Sequence, residues 1–348
     1  PLPTVTLPRC ESVNVESFYW EMIRACPEVA ALLEGARLRS DVLPNGKEIG
    51  VTRDWSSWAP DPVGDGWAGP DEGDEQDRPP RTVVVERPGK TIITRNDSPD
   101  LPFSQSINPY LGCEHGCIYC YARPSYAYWD MSPGLDFETR LFAKSNAPEL
   151  LRVELSRRTY RCEAIMLGAN TDAYQPIERE WKLTRRIVEV LHETRHPLLI
   201  VTKSALVERD IDLLAPMAAQ GLAQVAISVG LLDGELARRL EPRAAAPHRR
   251  LQAIRTLAAA GIPVTVLVAP IIPQLNDKDL EAVLEQAREA GATDAFYVML
   301  RLPHELKELF RDWLQQHYPL RAAHVMSLVQ QMRGGKDNDS RFGKRMTG

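Results

Sequence analysis

The chain has 348 residues, 44% of them hydrophobic and 26% charged, an ordinary globular composition with room for one large domain or two smaller ones. Its longest nearly unbroken apolar run, residues 262–272, is about half of a membrane span, and no charged-then-apolar leader opens it, so a cytoplasmic protein is expected and a secreted or membrane-inserted one is not. The net charge of −5 divides into −7 over residues 1–88 (9 Lys/Arg against 16 Asp/Glu) and +2 over the rest (33 against 31), which excludes a nucleic-acid binder driven by bulk charge and marks two differently built parts.

The first 60 residues read weakly, with one amphipathic helix expected over 15–33. Residues 61–82 are rich in Pro, Gly and acid and read as a linker, because such a segment buries too little apolar surface to order itself. From residue 83 an alternation begins. Short β-branched runs at 105–111, 163–169, 198–203, 224–229, 264–269 and 295–300 predict six strands. Helical patterns lie between them, most clearly at 177–193, 210–220, 249–260 and 280–290. Gly221, Gly261 and Gly291 each follow a last helical turn, where a C-terminal cap wants glycine. Strands alternating with helices imply an α/β fold with a parallel sheet, open or closing partly into a barrel, and the active site then lies at the carboxyl ends of the strands. Residues 83–335 are expected to form this unit, and 336–348 a flexible polar tail.

Six cysteines are present, at 10, 26, 113, 117, 120 and 162. Three fall within eight residues, in Ser106-Ile-Asn-Pro-Tyr-Leu-Gly-Cys113-Glu-His-Gly-Cys117-Ile-Tyr-Cys120, a C-x3-C-x2-C spacing in the loop leaving the first strand. A disulfide scaffold spreads its cysteines through a small secreted chain, whereas a tight cluster points to metal or redox chemistry. Three thiolates this close suit three irons of a [4Fe–4S] cluster, leaving the fourth iron without a protein ligand. Gly112 and Gly116 let the backbone wrap a bulky group. Two other readings of the triad stay open: a Cys3His zinc site with His115, and a fully Cys-ligated electron-transfer cluster. Cys162, just before the second strand, reads as a buried structural thiol, and Cys10 and Cys26 as incidental.

The motif and its surroundings, INPYLGCEHGCIYCYARPSYAY, resemble the radical S-adenosylmethionine (radical SAM) superfamily, in its spore-photoproduct-lyase-like branch, over roughly residues 90–340. The resemblance implies a partial (β/α)6 barrel, a [4Fe–4S] cluster on Cys113, Cys117 and Cys120, and S-adenosylmethionine (SAM) chelated at the open iron. It further implies a low-potential electron donor of flavodoxin or ferredoxin type, reductive cleavage of SAM to a 5′-deoxyadenosyl radical, and hydrogen abstraction from a substrate. On that model the strand ends supply the SAM contacts. Asn170, Thr171 and Asp172 are placed to meet the amino group, although Asp172 equally suits a helix N-cap. Lys203 stands where related lyases contact the SAM carboxylate, a solvated lysine being the alternative. Ser228 resembles a ribose or carboxylate contact, against a small residue packed at a strand end. Asn276 is in reach of the adenosyl part, though it and Asp277 are good helix caps. Tyr119 flanks the cluster, Arg301 points toward the site to neutralise an anionic substrate, and the loop 94–100 covers it.

The branch suggests nucleic acid as a substrate. However, the lyase's hydrogen-donating cysteine has no counterpart in Leu167-Gly168-Ala169-Asn170, which argues against photoproduct repair. The basic stretch Arg238, Arg239, Arg243, Arg249, Arg250 and Arg255 reads either as a phosphate track or as a solvated surface. A non-catalytic iron–sulfur or zinc protein is the competing class; retention of Asn170, Lys203 and Ser228 beside the three cysteines favours an enzyme.

Overall fold

The computed structural model describes residues 64–66 and 82–347. The expected helix at 15–33, Cys10 and Cys26, and most of the extension and linker lie outside the described residues.

All six expected strands form, as β3 (Gln105–Ile107), β6 (Ile165–Leu167), β7 (Leu198–Thr202), β8 (Ala223–Ser228), β9 (Val264–Ile271) and β10 (Asp294–Met299). Each pairs in parallel with the next, and β2 (Ile93–Arg95) adds an antiparallel edge, giving the order β10-β9-β8-β7-β6-β3-β2. The result is a partial (β/α)6 barrel. The first strand stops at Ile107, short of the expected 111, because Pro109 offers no N–H to the ladder. Tyr110–Leu111 instead becomes β4 of a small sheet with β1 (Val83–Glu86) and β5 (Arg140–Ala143).

The inner strands β6, β7 and β8 are buried on both faces, as parallel strands under helices must be, while β10 at the edge is only partly covered. Ile165, Leu167, Leu198, Ile200, Val225, Ile227, Val264 and Val266 face the helices in the main core. Met166 and Leu199 point the other way, into the barrel, where Phe103 packs on them. A second core gathers the helices Gly234–Leu240, Leu306–His317 and Pro319–Met332 around Trp313 and Phe310, and takes in Cys117, Ile118 and Tyr119. The cysteine loop is therefore seated on a core of its own.

Gly221, Gly261 and Gly291 take φ of +67°, +76° and +104° after helices Ile211–Ala218, Pro247–Ala259 and Leu280–Glu289, the left-handed caps expected of them. The helix expected at 177–193 is two helices, Glu178–Trp181 and Leu183–Thr194, broken at Lys182 with φ +50°. The break lets the buried Glu178 carboxylate accept from Thr184 N (3.0 Å) and Arg185 N (3.2 Å), capping the second helix across it.

Within the expected linker, Asp65 is buried against the barrel: its carboxylate pairs with Arg179 at 2.9 Å and its carbonyl accepts from Ala246 N at 2.7 Å. An acidic segment gains order here by borrowing a cation and an orphan N–H at the start of helix Pro247–Ala259. The expected polar tail, through residue 347, lies along the end of β10, where Met299 N donates to Met346 O at 2.9 Å. Among the described residues no helix is long and apolar enough to cross a membrane.

Candidate functional site

The loop leaving β3 turns back through β4 and brings Cys113, Cys117 and Cys120 to the carboxyl end of the sheet. All three thiols are free, Cys113 and Cys117 buried and Cys120 half-buried. Gly112 starts the turn with φ +78°, and a Cβ there would lie 2.6 Å from Phe137 O, so only glycine fits. Cys113 N then donates to that same carbonyl at 2.9 Å.

Two arginines hold the loop from beneath. Arg123, wholly buried, donates to Gly116 O (2.7 Å), Cys117 O (2.8 Å), Pro133 O (3.1 Å) and Gly134 O (2.8 Å), with Glu138 at 3.4 Å as counter-ion. Arg243, also buried, donates to Glu138 O at 2.8 Å, and its backbone N donates to His115 O at 3.3 Å. Six buried carbonyls of the loop and its surroundings are thereby satisfied.

The loop is also stitched to the segment after β6. Gln175 accepts from Glu114 N (2.7 Å) and donates to Gly112 O (3.1 Å), while the Glu114 carboxylate accepts from Ile177 N (2.7 Å). His115 Nδ1 lies 3.3 Å from Asp172 Oδ2. Asp172 in turn accepts from Tyr174 N (2.8 Å), Thr202 Oγ1 (2.7 Å) and Lys203 N (2.7 Å), joining the cysteine loop to the ends of β6 and β7. Burial alone would raise its carboxyl; His115 and these donors bring it down to about 2.

A third network lies under Tyr119. Its hydroxyl donates to Glu241, whose other oxygen pairs with Arg250, and all three side chains are buried. Arg250 also donates to Ser228 O at 3.0 Å. Burial opposes the charge on Glu241, but Arg250 and Lys203 outweigh it and hold the carboxyl below its ordinary value. Lys203 Nζ stands 5.8 Å over the Tyr119 ring, and its pKa rises despite burial because Cys117 and Glu241 are its neighbours. Burial pushes the Cys117 thiol up to about 12, against the pull of Lys203, and raises Cys113 and Cys120 too. Thiols so disposed bind protons until a cation replaces them.

The residues expected to contact SAM divide into two groups. Asn170 is exposed, its backbone N donating to Asn108 Oδ1 at 2.8 Å and its side-chain amide making no hydrogen bond among the described residues; Lys203 is half-buried with its ammonium beside Cys117; Ser228 is buried with its hydroxyl lacking a partner among the described residues. These three have polar atoms to spare. The other four are engaged within the fold. The Thr171 hydroxyl donates to Tyr110 O (2.9 Å), and Asp172 and Tyr119 belong to the networks above. Asn276 closes its own turn, accepting from Ile272 N (2.7 Å) and donating to Gly230 O (2.7 Å) and Pro270 O (2.9 Å). Cys162 lies before β6, at the opposite end of the sheet, and is half-buried and disulfide-bonded rather than the buried free thiol expected of it.

Sequence reasoning missed Arg123, Glu138, Glu114, Gln175, Glu241, Arg243 and Arg250 as builders of the site. The basic stretch between β8 and β9 is not one surface. Arg243 and Arg250 are buried under the cysteine loop, Arg249 pairs with Glu208, and only Arg238, Arg239 and Arg255 are exposed.

The donor set suits a polynuclear cluster better than one ion. His115 is turned to Asp172, away from the role of fourth donor to a single ion. Three thiolates, with Arg123, Arg243, Arg250 and Lys203 around them, match an anionic iron–sulfur cluster held at three corners.

Comparison with known proteins agrees with this chemistry. The model of the radical SAM superfamily matches residues 107–287. An uncharacterised protein of Mycobacterium tuberculosis is 40% identical over 221 residues, a match spanning 63% of this chain and 65% of that one, just under two thirds of the relative's length. An uncharacterised protein of Methanocaldococcus jannaschii is 30% identical over 213 residues, spanning 61% and 76%. Among solved structures, spore photoproduct lyase complexed with dinucleoside spore photoproduct aligns with 20% identity over 68% of this chain and 66% of that one, at a TM-score of 0.48. The family model takes in just over half of the chain, from the end of β3 to the last helix before β10, and on that match the protein belongs to the radical SAM superfamily.

Proposed function

We propose that this protein is a radical SAM enzyme in which Cys113, Cys117 and Cys120 hold a [4Fe–4S] cluster and Asn170, Lys203 and Ser228 meet SAM beside it. The observation that carries the reading is the buried Ser228 hydroxyl, without a partner among the described residues, at the end of β8 and tied through Arg250 and Glu241 to Tyr119 of the cysteine loop. A buried hydroxyl left unpaired costs about 1–3 kcal/mol, so it is retained where a ligand completes it. Such a cluster, when bound and reduced, supplies the electron that divides SAM into methionine and a 5′-deoxyadenosyl radical, which takes a hydrogen atom from the substrate.

The chain's own part is position and exclusion of water. Lys203 offers a cation to the SAM carboxylate; Asn170 offers its exposed amide; Ser228 offers one hydrogen bond from the floor. Asp172, Thr171, Asn276 and Tyr119 act behind them, fixing the ends of β6, β7 and β9 and the cysteine loop. Electrons come from a low-potential donor of flavodoxin or ferredoxin type in the cytoplasm. Ala169 stands where the lyase's hydrogen-donating cysteine would, which argues against the thymine photoproduct as the substrate.

The test is anaerobic reconstitution with iron and sulfide, followed by SAM and dithionite and an assay for 5′-deoxyadenosine, beside a protein with all three cysteines changed to Ala. Product from the intact protein alone is expected. Zinc in place of iron, or four irons with no SAM binding, overturns the reading.

A further inference from the structure

Six parallel strands do not close a barrel, and one side stays open between β10 and the β2–β3 edge. Two segments meet across that gap. From the β3 side comes the loop 96–104, whose Phe103 packs inward on Met166 and Leu199 while Asn96 Nδ2 donates to Phe103 O at 2.8 Å. From the β10 side comes the C-terminal segment. Arg333 pins it there, donating to Lys344 O (3.0 Å) and Arg345 O (3.1 Å) and also to Leu300 O (2.7 Å).

They join at Asp100. Gly343 N donates to its Oδ1 at 2.5 Å, Arg345 pairs with its carboxylate, and Arg345 also donates to Ser98 Oγ. The Asp100 side chain is only 6% exposed. Behind it stands Arg301, its guanidinium 5.5 Å over the Tyr121 ring and its Nη1 3.3 Å from Met346 Sδ, with a buried Nε that lacks a hydrogen-bond partner. Tyr121 follows Cys120, so this junction lies on the way to the cysteine site. Arg301 and Arg345 repel each other, and Asp100 is the anion that answers both.

We propose that Asp100 is the removable occupant of an oxyanion site formed by Arg301, Arg345 and Gly343 N, and that a carboxylate or phosphate group of the substrate displaces it, freeing the loop 96–104 while the anion takes over the hold on the C-terminal segment. The donors suit either oxyanion, since guanidinium forks and a backbone N–H recognise both. A tethered carboxylate holds such a site at high effective concentration, so the latch stays shut until an anion arrives with contacts of its own. The word substrate here rests on the function proposed above; the site and its latch do not.

Hydrogen exchange of residues 341–347 in the full-length protein, without cluster or SAM, tests this separately from radical chemistry. The wild type is expected to protect these amides, and Asp100→Ala to exchange them faster by on the order of tenfold or more, the ratio that a charge-assisted hydrogen bond is worth. In that variant inorganic phosphate or acetate restores protection where sodium chloride of equal ionic strength does not, and the stronger of the two identifies the oxyanion preferred. Adding Arg301→Met abolishes the rescue. Unprotected amides in the wild type, protection undiminished in Asp100→Ala, or loss that neither anion reverses would each overturn the proposal. Failure of SAM cleavage would leave it standing.

Discussion

Arg123 is the residue on which the cysteine loop most depends, and its replacement by Met tests that dependence. The substitution keeps an unbranched apolar stem in the pocket but removes donors from Gly116 O, Cys117 O, Pro133 O and Gly134 O and leaves the buried Glu138 with Arg243 as its cation. At the low end of the cost of an orphaned buried acceptor, about 1 kcal/mol each, the four carbonyls alone amount to about 4 kcal/mol. That is a large part of the roughly 5–15 kcal/mol that holds a domain folded. For a unit of this size it lowers Tm by roughly 10 °C. The metal site suffers before the fold does, because Gly116 and Cys117 are the residues released. Differential scanning calorimetry of the apo protein, with iron counted after anaerobic reconstitution, reads both effects. Arg123→Lys, a single point charge in place of a planar fork, falls between the two. An Arg123→Met protein with wild-type Tm and a full complement of iron would refute the argument.

Glu241→Ala leaves Arg250 charged and unpaired in the interior and costs about 3–5 kcal/mol, while the Glu241→Ala/Arg250→Met pair costs less than the sum of its parts; a double-mutant cycle by urea denaturation that comes out additive contradicts this. His196 faces the Pro197 carbonyl and the Tyr160 hydroxyl at the amino end of β7, and burial lowers its pKa from 6.5 to about 4. Its neutral form is built into the fold, so stability is complete above pH 6.5 and drains away as pH falls toward 4, where the unfolded chain binds the extra proton, by up to about 3 kcal/mol. The pH dependence of Tm measures the slope, and His196→Gln flattens it. Ser228→Ala removes an unsatisfied hydroxyl, so the apo protein is as stable or up to about 1 kcal/mol more so, yet SAM binding to the reconstituted protein weakens roughly tenfold by equilibrium dialysis. A loss of apo stability in that variant would mean the hydroxyl is not free.

Much of this architecture is legible in the chain because its signals are local. The β-branched runs, the glycine caps at 221, 261 and 291 and the cysteine spacing each depend on neighbours within a few residues, and each recurs in the structure. The second ring of the site is not legible, since charge patterning assigns arginines to solvent by default. Arg243 and Arg250 escape that rule through Glu138 and Glu241, and nothing local reports such pairings. Asn276 shows the reverse failure: a polar residue after a strand reads as a ligand contact, yet its amide meets the hydrogen-bonding needs of its own turn. Lys182 breaks a helix that periodicity runs straight through, because the interruption is dictated by Glu178 below it.

The bonds that shape the cysteine loop span long stretches of chain. Ile118 N donates to Leu240 O, and Tyr119 reaches Glu241, 122 residues onward. On a ribosome, at roughly 5–20 residues per second, about 6–26 seconds separate the synthesis of Cys120 from that of Arg250. During that interval the three thiols have neither floor nor counter-charges and are a loose reducing triplet, open to any passing metal or oxidant. The cysteine loop therefore gains its floor only after β8 and the helix that carries Arg250 have been made.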